Sequence, residues 1–289
     1  MSASKAFRRL LRLAGILLLA SYGSPAFAQV SLPEVQKRYG NATVFIAVRY
    51  ETLDGQTPTS GCKKGSGFLI SKSGYVATSY HLFTDENNRP FDKINAVLGK
   101  VGESFDCDQP LGEVLRLDRI VSTADVDAAL LKFISPKTYT PIPACLGPVV
   151  VDGASLYVLG FPLGLPLSSQ TVSKGNEAGK RWQINGKFDD GSSGGPVIST
   201  DGALVGLVFG GYDGTNISYV VPLNHFASFF QVAGSHLRTC KTVQEADTAQ
   251  KKTHETGANG TVTNGPCSPV VINKGGTIKF DISKCGSQQ

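Results

Sequence analysis

The chain has 289 residues and a formal net charge of +5, from 28 basic and 23 acidic side chains. Four of the basic residues fall in the first 28 positions, so the remaining 261 residues carry only +1, and no basic stripe interleaved with aromatics appears; nucleic acid is therefore not an expected partner. No apolar run reaches the ~20 residues that a membrane-spanning helix needs, and a chain of this length can bury a substantial core as one functional unit.

Residues 1–28 read as an export signal. Lys5, Arg8, Arg9 and Arg12 form the basic region, Leu13 to Ala20 is apolar, and Ala26-Phe27-Ala28 is a small-residue cleavage site. Cleavage after Ala28 would release a secreted or periplasmic protein starting at Gln29; an uncleaved anchor is the alternative. A short helix is expected over Leu32–Arg38. Strand-like runs bounded by turn residues then recur: Thr43–Arg49, Ser66–Ile70, Tyr75–Ser79, Ile94–Leu98, Glu113–Arg116, Ala128–Phe133, Leu156–Leu159, Trp182–Ile184, Val197–Ile198, Leu204–Phe209 and Ile217–Val221. The run Val44–Val48 is unbroken apolar and reads as a strand buried on both faces. Pro222–Val232 places Leu223, Phe226, Phe229 and Phe230 at helical spacing, so a closing helix is expected.

From 241 to 265 the composition turns to Lys, Gln, Glu, Thr, Asn and Gly, which cannot bury enough surface to order itself and reads as a linker. In 266–289, Ile278, Phe280 and Ile282 alternate with polar residues after Gly275-Gly276, the pattern of a hairpin. Six cysteines in an exported chain favour disulfides. Cys267–Cys285 would close the hairpin; Cys62–Cys107 and Cys145–Cys240 complete the preferred pairing. No C-x-x-C or His–Cys cluster exists, so neither a metal nor a cofactor is expected.

The stretch Gly191-Ser192-Ser193-Gly194-Gly195-Pro196 carries the chemistry. Glycines at this density let the backbone turn sharply and approach a substrate closely. A serine in such a turn can present its hydroxyl while neighbouring N–H groups converge on one point, as a nucleophile with an oxyanion hole requires. Upstream lie Gly65-Ser66-Gly67-Phe68, then Gly74-Tyr75-Val76-Ala77-Thr78-Ser79-Tyr80-His81, then Asp127-Ala128-Ala129-Leu130-Leu131-Lys132.

These four pieces, in this order, resemble the chymotrypsin-fold serine proteases, and within them the HtrA-like branch. Gly160–Gly164 and Ile217–Pro222 are similar to further segments of that branch, and the likeness runs from about Pro33 to Phe230. The resemblance implies an all-β fold of two six-stranded antiparallel barrels, about 40–140 and 141–222, inside a protease domain of 29–240 with a closing helix at 222–232. It implies a triad of His81, Asp127 and Ser193, with the Gly191 and Ser193 N–H groups binding the oxyanion. The pocket for the residue before the cut would be walled by Lys187–Gly191, Phe209–Gly211 and Ile217–Tyr219. Lys187, Phe209, Gly210, Gly211, Ile217 and Ser218 are its named residues, with Phe209 and Ile217 narrowing it. Lys187 stands where trypsin-like enzymes carry a carboxylate, so small or medium apolar residues are expected before the cut; an acidic preference through Lys187 is the alternative. The family's usual PDZ domain and trimerising segment are not evident, so a monomer is expected.

Asp125 competes with Asp127 for the His81 partner role, and only Asp127 fits the motif. The segment Gly164–Lys180 looks like a mobile lid. Two rival readings remain. One is a catalytically silent, protease-like module that binds peptides or partners. The other is a serine esterase, because Gly191–Gly195 also matches G-x-S-x-G; Pro196 and Asp201-Gly202 favour a hairpin over the helix that such an elbow needs. The expected partner is a protein or peptide substrate.

Overall fold

The apolar run at Val44–Val48 sits inside β1 (Thr43–Asp54), and all five of its side chains are completely buried. Its two faces have different destinations. Val44, Ile46 and Val48 enter the largest hydrophobic core, whereas Phe45 and Ala47 join Phe161, Leu98 and the Cys62–Cys107 region in a second cluster. A strand with both faces covered reads as a continuous apolar run.

The computed structural model describes residues 29–54, 57–104, 106–109, 115–144, 150–211, 214–235, 237, 270–274 and 277–281. After β1 come β2 (Thr57–Leu69), β3 (Tyr75–Thr78), β4 (Lys93–Val101), β5 (Leu115–Thr123) and β6 (Ala128–Phe133). They close into an antiparallel barrel in the order β1-β2-β3-β6-β5-β4. A second closed barrel is built from β7 (Ser155–Gly160), β8 (Ser168–Ala178), β9 (Arg181–Asn185), β10 (Pro196–Ser199), β11 (Leu204–Gly211) and β12 (Ile217–Pro222), in the order β10-β11-β12-β9-β8-β7. The fold is thus the expected pair of six-stranded barrels. Full closure removes the exposed sheet edges that invite aggregation.

Helix α1 (Leu32–Tyr39) precedes the first barrel in sequence but packs on β7 and β8 of the second, with Val35 and Tyr39 buried. Tyr39 donates to the Gly202 carbonyl of the second barrel at 2.7 Å. The main core itself crosses between barrels: Phe68 of β2 meets Phe226 edge-on at 6.4 Å, and Leu204, Leu207 and Val221 belong to the same cluster.

Three expectations change. Ser168–Ala178, read as part of a lid, is the long strand β8, paired with β7 over six residues. The closing helix is broken: a 3-10 turn at Leu223–His225 is followed by α2 (Ser228–Val232). Strand β2 begins at Thr57 rather than Ser66, because it forms a hairpin with β1 that extends to Asp54↔Thr57. The hairpin near the C-terminus is present as β13 (Val270–Lys274) and β14 (Thr277–Asp281). Cys62 and Cys107 are joined by a disulfide across 45 residues of sequence, a cross-link worth roughly 2–4 kcal/mol through its restriction of the unfolded chain. The signal, the linker and the cysteines at 145, 240, 267 and 285 lie outside the described residues.

Candidate active site

His81 sits in a 3-10 turn (Tyr80–Phe83) that follows β3 immediately. Asp127 occupies the turn between β5 and β6, and its carboxylate is turned fully onto His81. One oxygen accepts the His81 backbone N–H at 2.8 Å and the other meets His81 Nδ1 at 2.9 Å. Asp127 is 3% exposed, so water does not compete for these bonds. Its φ is +62, in the left-handed region, which Asp adopts more readily than most residues. The carboxylate fixes the Nδ1–H tautomer and leaves Nε2 as the proton acceptor.

Asp125, the rival carboxylate, is not on a shared strand face with Asp127, because both precede β6. It is exposed and pairs with Lys180 at 2.7 Å. That hydrogen bond, followed by the Lys180 charge, lowers its pKa below the usual carboxylate value. Lys63, which the sequence did not single out, braces the histidine from below. Its ammonium donates to the carbonyls of His81 and Thr84 at 3.1 and 2.7 Å, and partial burial pulls its pKa down from the ordinary lysine value.

Ser193 comes from the second barrel, in the loop between β9 and β10. It and His81 line one cavity of about 310 Å³, together with Leu163, Lys187, Phe188, Asp189, Asp190, Phe209, Gly210, Gly211, Thr215 and Ser218. No hydrogen bond joins Ser193 to His81. Such bonds are often long without substrate and tighten when it binds.

The loop around Ser193 is tied to the first barrel through Ser66, a buried side chain. Its hydroxyl donates to the Gly191 carbonyl at 2.6 Å and accepts the Phe161 N–H at 2.9 Å. Its own N–H donates to the Ser193 carbonyl at 2.7 Å. With the Gly191 carbonyl engaged there, and the Asp190 carbonyl taken by the Leu163 N–H at 2.5 Å, the N–H groups of Gly191 and Ser193 have no backbone acceptor among the described residues. Gly191 reaches this geometry at φ +91. We expect Ser66→Ala to lower stability by about 1–3 kcal/mol, because it strands a buried carbonyl and N–H, and to slow turnover by loosening the Gly191 peptide. Thermal unfolding and steady-state kinetics on one peptide would check both.

Of the expected pocket residues, Lys187, Phe209, Gly210, Gly211 and Ser218 line the cavity and Ile217 does not. Ser218, the next residue of β12, faces the cavity instead, and Thr215, ahead of the strand, joins the lining. Lys187 is no buried floor residue; it is 66% exposed and pairs with Asp189 at 2.9 Å. The floor is instead shaped by Phe188, whose N–H meets Ser218 Oγ at 3.2 Å while that hydroxyl donates to the Gly186 carbonyl at 2.7 Å.

The chain is similar to known proteins in sequence and in fold. The family model for the trypsin-like peptidase domain matches residues 65–207. Residues 65–207 thus form a trypsin-like peptidase domain. It is similar to Protease Do-like 1, chloroplastic, of Arabidopsis thaliana, with 27% identity over 180 residues, 56% of this chain and 36% of the relative. Serine protease HtrA-like of Staphylococcus aureus is 27% identical over 187 residues, 55% of this chain and 22% of the relative. The magnetosome formation protease MamE of Paramagnetospirillum magneticum is 27% identical over 161 residues, 50% of this chain and 19% of the relative. The chain therefore spans between about a fifth and about a third of the length of these relatives. The serine endoprotease from Yersinia pestis shares the fold, with a TM-score of 0.54 and 18% identity over 71% of this chain and 67% of the other. With this domain and these HtrA-like relatives, the chain has the chymotrypsin-like protease fold.

Proposed function

We propose that this peptidase is an exported serine endopeptidase that cuts polypeptides through Ser193, His81 and Asp127. The observation that carries the reading is the buried Asp127 carboxylate, bonded to both the N–H and Nδ1 of a histidine that shares one cavity with Ser193. In the first step Ser193 Oγ attacks the substrate carbonyl carbon, and its proton passes to His81 Nε2. The oxygen that gains charge is bound by the Gly191 and Ser193 N–H groups. The C–N bond then breaks as His81 returns the proton to the leaving amine. A water molecule, deprotonated by His81, releases the acyl group and restores Ser193.

Leu163, Phe188, Phe209, Gly210 and Gly211 give part of the cavity an apolar wall, and of the two carboxylates that also line it, Asp189 is paired with Lys187. Small or medium apolar residues are the expected fit before the cut. A peptide library cut mainly after Arg would overturn this preference.

One rival is a silent peptide-binding module, in which Ser193 and His81 share the cavity without exchanging a proton. Reaction of the mature protein with a fluorophosphonate separates the two readings. Labelling confined to Ser193 and lost in Ser193→Ala supports the enzyme; an unlabelled, folded protein overturns it. Hydrolysis of casein but not of short-chain esters would then exclude an esterase.

A further inference from the structure

The hairpin between β8 and β9 places two cations beside the cleft, with different fates. Lys180 is paired with Asp125 on the first barrel at 2.7 Å. Its neighbour Arg181 forms no ion pair among the described residues. The Arg181 guanidinium lies instead over the face of Phe209, 3.5 Å from the ring centroid. Phe209 in turn meets the His81 ring edge-on at 5.6 Å and lines the cavity that holds Ser193. Arg181, Phe209 and His81 thus form a continuous ladder that starts at the candidate base and ends in a planar cation. Stacking fixes the plane of the guanidinium while leaving its N–H donors available at the edge.

The ladder has a direction relative to a bound peptide. Pairing of β11 with β10 begins at Leu207, and Val208 is still bonded to Gly194 and Gly195, so residues 209–211 have β12 on one side and the cleft on the other. Gly210 and Gly211 wall the cavity for the residue before the cut, so the chain ahead of that residue runs along this part of β11. The guanidinium lies within about 9 Å of the His81 ring, or two to three residues of extended chain at about 3.3 Å each. The cavity mouth is a poor place for an acid, because Lys187 is engaged by Asp189 and Asp190 adds a second carboxylate there.

From this we infer that Arg181 is a specificity-determining residue, and that it selects an acidic side chain two to four residues ahead of the scissile bond. Phe209 holds the guanidinium in the plane needed for a two-pronged contact with a carboxylate. This rests on the proposed reading of the cleft as a peptide site, and its test is independent of turnover. Full-length Ser193→Ala protein would be titrated with fluorescent octapeptides that share an apolar residue at the cut and differ only at the second to fourth positions before it. The Glu peptide should bind about three- to tenfold more tightly than the Gln peptide, and the Lys peptide more weakly still. The gap should narrow in high salt. Arg181→Gln in that background should remove the discrimination, Arg181→Glu should invert it, and Arg181→Lys should restore part of it. Equal affinities, a preference unchanged by Arg181→Gln, or no binding of any peptide overturns the assignment. Fluorophosphonate labelling of the wild-type protein decides separately whether the cleft is catalytic.

Discussion

Replacing Ser193 with Ala is expected to lower peptide hydrolysis by roughly 10⁶ and to leave the thermal unfolding midpoint unchanged. The loss is large because the hydroxyl forms the bond on which both half-reactions depend. The stability is untouched because Ser193 Oγ makes no hydrogen bond among the described residues; the loop is secured by backbone contacts from Ser66 and Val208. His81→Ala should fall to a similar level, and the double variant should be no worse than either single, since the two groups act as one unit. Asp127→Asn should cost about 10⁴ by favouring the wrong imidazole tautomer. Rates on one peptide, with casein as a second substrate, check all four proteins. Retained cleavage by Ser193→Ala would remove the proposed mechanism.

The elements legible in the sequence are those whose burial matches one simple period. Strand β6 runs over Ala128–Phe133 as read, because its two faces are both covered. Strand β8 was missed because only Val172 and Lys174 are buried along its eleven residues. A lysine is a poor strand signal; here its ammonium lies over the Trp182 ring at 5.3 Å and pairs with Asp152. In the candidate site, His81, Asp127 and Ser193 were legible because each stands in an ordered motif. Lys63 and Ser66 were not, since both work through backbone carbonyls that sequence does not display. The pocket failed at Ile217 for a related reason. Which side of β12 faces the cavity depends on its register with β9, where Ile217 pairs with Asn185. Arg181 was also silent, because nothing in a sequence places it over Phe209.

Gly194→Ala should be the most disruptive small substitution near the site. A methyl group there would lie 2.2 Å from both the Ser66 carbonyl oxygen and Thr78 Oγ1, and 2.8 Å from the Ser79 nitrogen. None of these can retreat cheaply. The Ser66 carbonyl accepts the Thr78 hydroxyl at 2.6 Å, and Ser79 Oγ is bonded to the Val208 carbonyl at 2.9 Å. Gly194 also donates to that same carbonyl at 2.7 Å, so it cannot move outward without losing its bond. Its φ of +85 adds the left-handed cost, roughly 1–2 kcal/mol for a residue with a Cβ, to an overpacking cost of about 1–3 kcal/mol. A loss of about 3 kcal/mol should lower the unfolding midpoint by roughly 6–12 °C for a domain of this size. Ser193 precedes this glycine directly, so its rate of labelling by fluorophosphonate should fall with stability. Gly153→Ala separates the two causes. Gly153 has nearly the same φ, +82, but nothing within 4 Å of the added methyl, so only the backbone cost applies. If Gly194→Ala unfolds no earlier than Gly153→Ala, the barrels do not meet as closely at Ser66 as these distances require.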